Sequence, residues 1–132
     1  MSKRQEREAI FLLLFEKCFN EDDLEVIIEN AELARDFKSN PNILIKTKAI
    51  LEKATELDEV IEKHLKNWSK NRISKVALCV LRIAVFEILH ETETPESVSI
   101  NEAVEITKYY STQNDASFVN GVLGAFVKQI NK

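Results

Sequence analysis

SFVNGVLG, residues 117–124, holds both glycines of the 132-residue chain, Gly121 and Gly124. Asn120-Gly121 on its own is a turn signal, and a turn here would place a hairpin or a loop at the end of the chain. The flanking residues decide otherwise. Phe118, Val122, Ala125 and Phe126 recur at helical spacing, and Val119, Leu123 and Ile130 widen the same apolar face. A turn at residue 120 would split that face into two pieces too short to bury anything. The stretch therefore predicts one final helix over about 117–130. Two glycines three apart share a side of it, and each costs about 0.5–1 kcal/mol relative to alanine. Close packing against another helix is the simpler reason for keeping them, above all for Gly121.

Working outward, the same period runs through nearly the whole sequence. Only four residues are Gly or Pro, and Leu, Ile, Ala, Glu and Lys abound, which favours an all-α fold over a sandwich or barrel. Helices are predicted over about 3–19, 22–37, 41–54, 57–68, 73–89 and 99–110 before the last one. Pro41 suits a first helical position, where its missing N–H is no loss. ISKVALCVLRIAVFEIL, residues 73–89, carries three charges and reads as the central core helix. Lys75, Arg82 and Glu87 within it argue against a membrane span. Asn67–Ser74 and STQNDA, residues 111–116, read as connectors. Ser99-Ile100-Asn101-Glu102 has the spacing of a capping box, with Val98 and Ala103 as its staple. Seven helices joined by short loops predict a compact bundle, and residues 1–132 fit one domain.

The chemistry legible in the residues is sparse. His64 and His90 lie far apart, and no paired ligand spacing accompanies Cys18 or Cys79, so no metal site is expected. His64 falls on an apolar stripe, where a core role is expected. The cysteines sit in apolar helical contexts and read as buried thiols. Gly121-x-x-Gly124 lacks the strand and the length of a phosphate loop. Carboxylates fall on faces predicted to be exposed, so paired acid–base work is not indicated and no cofactor is expected. The N-terminal apolar run ends at Glu16 without a small-residue cleavage site, consistent with a cytoplasmic protein.

Charge is segregated. The net charge of −4 disfavours indiscriminate nucleic-acid binding. Yet Lys63, Lys66, Lys70, Arg72, Lys75 and Arg82 form a stretch with no acid, and Lys3, Arg4 and Arg7 open the chain. Acid gathers instead between Glu21 and Asp36, with seven carboxylates against one arginine. A local anion-attracting face and a merely solvated helix surface both fit this pattern.

Specific segments carry a resemblance. HLKNWSKNRIS at 64–74, VLRIAVFEIL at 80–89, Pro95, SINEAVEITKYY at 99–110 and FVNGVL at 118–123 resemble, in order and spacing, the NusB family of bacterial transcription antitermination factors. QEREAIFLLLFE at 5–16 is similar to the opening helix of that family, whereas residues 20–56 match only in helical character. The resemblance implies an all-α fold of two packed helical subdomains and a non-enzymatic role. That role is binding of boxA RNA together with NusE, a small-subunit ribosomal protein, within an RNA polymerase antitermination complex on ribosomal RNA operons. It implies RNA contacts at Lys3, Arg4 and Arg7, and at Asn120, Gly124 and Lys128. It implies contacts with NusE at Phe15 and Glu87. It leaves a homodimer open beside the monomer.

The chain also departs from the family pattern. Gln5 and Glu6 thin the basic start, Phe15 stands where tyrosine is common, and Gly124 stands where an acid is often found. Losing that carboxylate removes a repulsion toward RNA. A helical protein-interaction scaffold that binds no RNA is the alternative expectation. A catalytic methyltransferase reading, suggested by similar helical domains attached to such enzymes, is weak because 132 residues leave no room for a cofactor domain.

Overall fold

The computed structural model describes residues 2–35, 40–65 and 73–131. Seven α-helices form among them: α1 (Lys3–Lys17), α2 (Leu24–Arg35), α3 (Pro41–Glu52), α4 (Ala54–Glu62), α5 (Lys75–His90), α6 (Glu96–Tyr110) and α7 (Gln113–Ile130). They divide into two compact units, Met1–Glu52 and Lys53–Lys132. Expectations placed on Phe37 and Trp68 as helix ends, and on Lys66, Lys70 and Arg72 as cations, lie outside the described residues.

In the first unit α1 packs against both α2 and α3. Its start is fixed by a capping box that the sequence reading passed over. The Ser2 hydroxyl accepts from the Gln5 N–H at 3.1 Å, and the Ser2 N–H donates to Gln5 Oε1 at 2.8 Å. Gln5 thins the basic cluster because it serves the cap, satisfying backbone groups that a helix start leaves orphaned. Ala9, Ile10, Phe11, Leu13 and Leu14 then form a nearly continuous buried run. Each large apolar side chain so buried stabilises the unit by about 1.5–3 kcal/mol. Leu24, Ile27, Ile28 and Ala31 of α2 and Ile43 and Ile50 of α3 complete this core. Asn40 ties α3 to α1: its Oδ1 accepts from the Ile43 N–H at 3.0 Å, and its Nδ2 donates to Glu6 Oε1 at 3.3 Å. Pro41 opens α3 as expected.

In the second unit α5 is surrounded by α4, α6 and α7. From Ala77 to Ile88 every residue is buried except half-buried Arg82. The Ser74 hydroxyl caps α5, accepting from the Ala77 N–H at 2.9 Å. Arg82 closes a two-pronged ion pair with Asp58 of α4, Nε to Oδ1 and Nη2 to Oδ2 both at 2.8 Å. Only Ser111 and Thr112 separate α6 from α7, which makes the two helices antiparallel neighbours.

Several helix boundaries differ from the sequence reading. A break at Lys53, with no Gly or Pro nearby, ends α3 early and lets α4 begin at Ala54. Helix α6 begins at Glu96 behind Pro95, whose fixed φ of −59° leads into the helix. Ser99 thus lies inside α6 and caps nothing. Its hydroxyl donates to Glu87 Oε1 of α5 at 2.8 Å, so the proposed capping box is replaced by a bond between helices. Helix α7 begins at Gln113, four residues ahead of prediction, because the Thr112 hydroxyl accepts from the Asp115 N–H at 3.0 Å.

Candidate functional site

The basic start of the chain does not present its three cations equally. Lys3 and Arg4, in the first turn of α1, are exposed. Arg7, one turn on, is only 7% exposed and engaged in interactions of its own. The helical period explains the difference, since residue 7 shares the buried side with residues 10, 11 and 14. Lys3 and Arg4 sit beside a helix N-terminus, where a positive charge opposes the macrodipole.

On the second unit the final helix sorts its residues cleanly. Ala116, Val119, Val122, Leu123 and Phe126 are buried, whereas Ser117, Asn120, Gly121, Gly124 and Lys128 line the opposite, exposed face. The continuous helix expected at 117–124 is present. The packing role expected for Gly121 is not. A Cβ added at Gly121 or Gly124 would have nothing within 4 Å. Neither glycine serves a close approach between described parts of this chain. Both leave bare main chain on the polar face, between Asn120 and Lys128.

Phe15 is half-buried in a file of three rings along one side of α1. Its ring stacks on that of Phe11 at 5.8 Å, and Phe19 meets it edge-on at 5.2 Å. The file runs from a fully buried ring to an exposed one. Glu87 differs from expectation in its setting: it is 1% exposed and accepts the Ser99 hydroxyl. The partner considered for it within the helix, Arg82, lies five residues away and so about 140° around the axis. Arg82 turns instead to Asp58. With Asp58 and Glu102 also buried, the expectation that carboxylates lie on exposed faces fails in the second unit. Hydrophobic spacing marks which side of a helix is buried, but a carboxylate placed there gives no local sign of its distant hydroxyl or guanidinium.

Asp115 escaped the sequence reading for the same reason. Its Oδ2 accepts both the Ser74 hydroxyl at 2.6 Å and the Ser111 hydroxyl at 2.5 Å, which fastens the α6–α7 connection to the start of α5. His64 lies on the apolar side as expected, its ring edge-on to Phe126 at 5.8 Å, and its Nε2 is buried without a hydrogen-bond partner among the described residues. Cys18 is half-buried and Cys79 buried. Among the described residues no group of three or more His, Cys, Asp or Glu side chains is placed to hold a metal ion, and no helix is long and apolar enough to cross a membrane.

A surface pair of the first unit has shifted titration. Glu25 of α2 and Lys48 of α3 approach to 2.6 Å. The hydrogen bond from Lys48 holds the Glu25 carboxyl below its ordinary value, and the same bond raises the Lys48 amine.

Comparison with known proteins gives a consistent result. The sequence profile of the NusB family matches residues 4–128. The transcription antitermination protein NusB of Clostridium botulinum (strain Alaska E43 / Type E3) is 42% identical over 133 residues, covering 98% of this chain and 100% of that protein. Among solved structures, T. maritima NusB superposes with a TM-score of 0.85 at 36% identity, covering 97% of this chain and 92% of that one. A chain in the structure of antitermination factors NusB and NusE in complex with dsRNA superposes with a TM-score of 0.83, covering 98% of this chain and 99% of that one. At 22% identity this last likeness speaks to the fold alone.

Proposed function

Because the chain belongs to the NusB family, we propose that it is a transcription antitermination factor, not an enzyme, that binds boxA RNA together with NusE. The complex would join RNA polymerase and sustain processive transcription of ribosomal RNA operons, which places its work in the cytoplasm of a bacterium. The observation that carries the RNA reading is the exposed face of α7, where Asn120, Gly124 and Lys128 stand clear of the core while the apolar residues of the same helix are buried. A helix face with an amide, bare backbone and a cation suits unstacked single-stranded RNA, which is read by contacts to splayed bases and phosphates. Lys3 and Arg4 add exposed positive charge on the first unit. Arg7 supports that turn from within, since its side chain is largely buried. Phe15 contributes to NusE binding from within its file of rings, and Glu87 acts indirectly, by holding α6 through Ser99.

Titration of labelled boxA RNA, with and without NusE and beside a scrambled RNA, tests this reading. Sequence-preferring binding that NusE strengthens is the expected result. No binding under either condition would replace it with the scaffold reading, and equal affinity for the scrambled RNA would remove sequence recognition.

A further inference from the structure

We propose that α6 supplies the second wall of the RNA surface, with Asn101 reading a base edge across Gly124 and Lys108 holding a phosphate beside Asn120. The inference rests on the RNA reading above and extends it from α7 to a helix that reading leaves out. Helices α6 and α7 pack on each other, and both pack on α5. Ser99 marks the side of α6 turned to α5, because its hydroxyl donates to Glu87. Lys108 follows Ser99 by about two and a half turns and so faces away from α5, with Asn101 within about 20° of it around the axis. Asp115 marks the matching side of α7, because it accepts the hydroxyl of Ser74, the residue that caps α5. Gly124 follows Asp115 by the same interval of about two and a half turns, with Asn120 about 40° away. Both helices thus turn exposed residues to one outer side: Asn101 and Lys108 from α6, Asn120 and Gly124 from α7.

Two hydrogen bonds set the register of these walls. The Ser111 hydroxyl, at the end of α6, donates to Asp115 at 2.5 Å, and Asn131 Nδ2, beyond the end of α7, donates to Glu96 Oε1 at 3.4 Å. Antiparallel packing between those ties sets Asn101 level with Gly124, and Lys108 level with Asn120, to within about 3 Å along the axis. Packed helix axes lie about 8–10 Å apart, so groups on the two walls can touch one nucleotide and its phosphate together. The residue types suit that occupant. Asparagine is a weak helix former, yet Asn101 is exposed inside α6. Its amide offers a donor and an acceptor, which is what the edge of an unstacked base requires. Gly124 leaves room between the two amides, since even a Cβ there would have nothing within 4 Å. Lys108 approaches Glu105 only to 3.7 Å, with both side chains half-exposed, and such a pair holds an ammonium weakly. Glu105 lies about 60° further around α6, away from α7. Lys108 and Lys128, both exposed, then bracket the two amides with the positive charge a phosphate backbone attracts.

The test uses the full chain and two variants, Asn101→Ala and Lys108→Gln. Each is titrated against boxA RNA and a scrambled RNA, with and without NusE, and against NusE alone. Asn101→Ala should melt no lower than the wild type, because alanine is the better helix former. Lys108→Gln should flatten the salt slope by about 0.7 on both RNAs. Asn101→Ala should leave that slope unchanged and narrow the preference for boxA over the scrambled RNA roughly 3- to 10-fold. Affinity for NusE in the absence of RNA should not change. If the wild-type protein binds neither RNA, the RNA reading falls and this inference with it. If the wild type prefers boxA and both variants match it in slope and preference, this inference alone is overturned. Weaker binding of the variants to NusE alone, with unchanged RNA binding, would overturn it too, by making the face one for protein.

Discussion

Separating Arg7 from Lys3 and Arg4 provides a sharp test of the RNA surface. Each phosphate neutralised on a single strand contributes about −0.7 to the slope of log affinity against log salt. Were Lys3, Arg4 and Arg7 equivalent, α1 would supply a slope of about −2. The structure makes them unequal, because Arg7 is 7% exposed while the other two project into solvent. Two contacts from α1 give about −1.4, which is roughly a sevenfold loss of affinity between 50 and 200 mM salt. The Lys3→Ala/Arg4→Ala variant should therefore flatten the measured slope by about 1.4, and Arg7→Ala should leave it nearly unchanged.

Arg7→Ala should show its effect elsewhere. Removing a buried, engaged side chain from the core side of α1 should cost about 1–3 kcal/mol, which for a chain of this size lowers the melting temperature by roughly 3–5 °C per kcal/mol. Filter binding or fluorescence anisotropy at several salt concentrations, with calorimetry on the same samples, reads both quantities. A slope flattened by 0.7 or more in Arg7→Ala, at an unchanged melting temperature, would refute the reasoning. It would mean that Arg7 leaves its buried position to reach phosphate.

Three other outcomes follow from the placement of these residues. Asp58→Ala leaves Arg82 without its two-pronged partner. With both side chains largely buried this should cost about 2–4 kcal/mol in urea unfolding, and a loss below about 1 kcal/mol would show that water replaces the pair readily. Gly121→Ala and Gly124→Ala should each stabilise the protein by about 0.5–1 kcal/mol, since a Cβ meets open space and the backbone is helical. Gly124→Asp should instead weaken boxA binding relative to Gly124→Ala, and equal affinities of those two variants would show that charge at this position does not matter to RNA.

Elements whose identity rests on spacing alone were legible. The apolar run of α5, the start of α3 at Pro41 and the unbroken course of α7 through its glycines all follow from periodicity and local backbone chemistry. Helix starts were read less well where a polar residue had two uses. Ser99 has the spacing of a cap, yet Pro95 opens the helix first and frees its hydroxyl for Glu87. Thr112 and Asp115 look like loop residues until the cap between them is seen. The candidate site residues could be named from the sequence, but their exposure could be read there only in part. Arg7 and Arg4 are the same residue to a charge count, and only their positions around α1 separate them. Arg82 and Asp58 lie 24 residues apart, and Ser74 and Asp115 lie 41 apart. No local pattern encodes such pairs, because they depend on which helices become neighbours.

The placement of charge around α1 bears on which surfaces face outward. Acid between α1 and α2 has a local justification: Asp23 and Glu25 lie at the start of α2, where negative charge complements the helix dipole. Lys3 and Arg4 have none of this kind, since cations in the first turn of α1 oppose its dipole. The glycines of α7 are alike in this respect, being unfavourable within a helix and unneeded by any described neighbour. Phe19 is a third case, an aromatic ring supported by the core and left in water. Folding of the chain by itself would be served as well or better by an acid at residue 3, alanine at residues 121 and 124, and a polar side chain at residue 19. The residue types at these positions are ones that a partner would explain: an anion for Lys3, a closely approaching chain for the glycines, and an apolar recess for the ring.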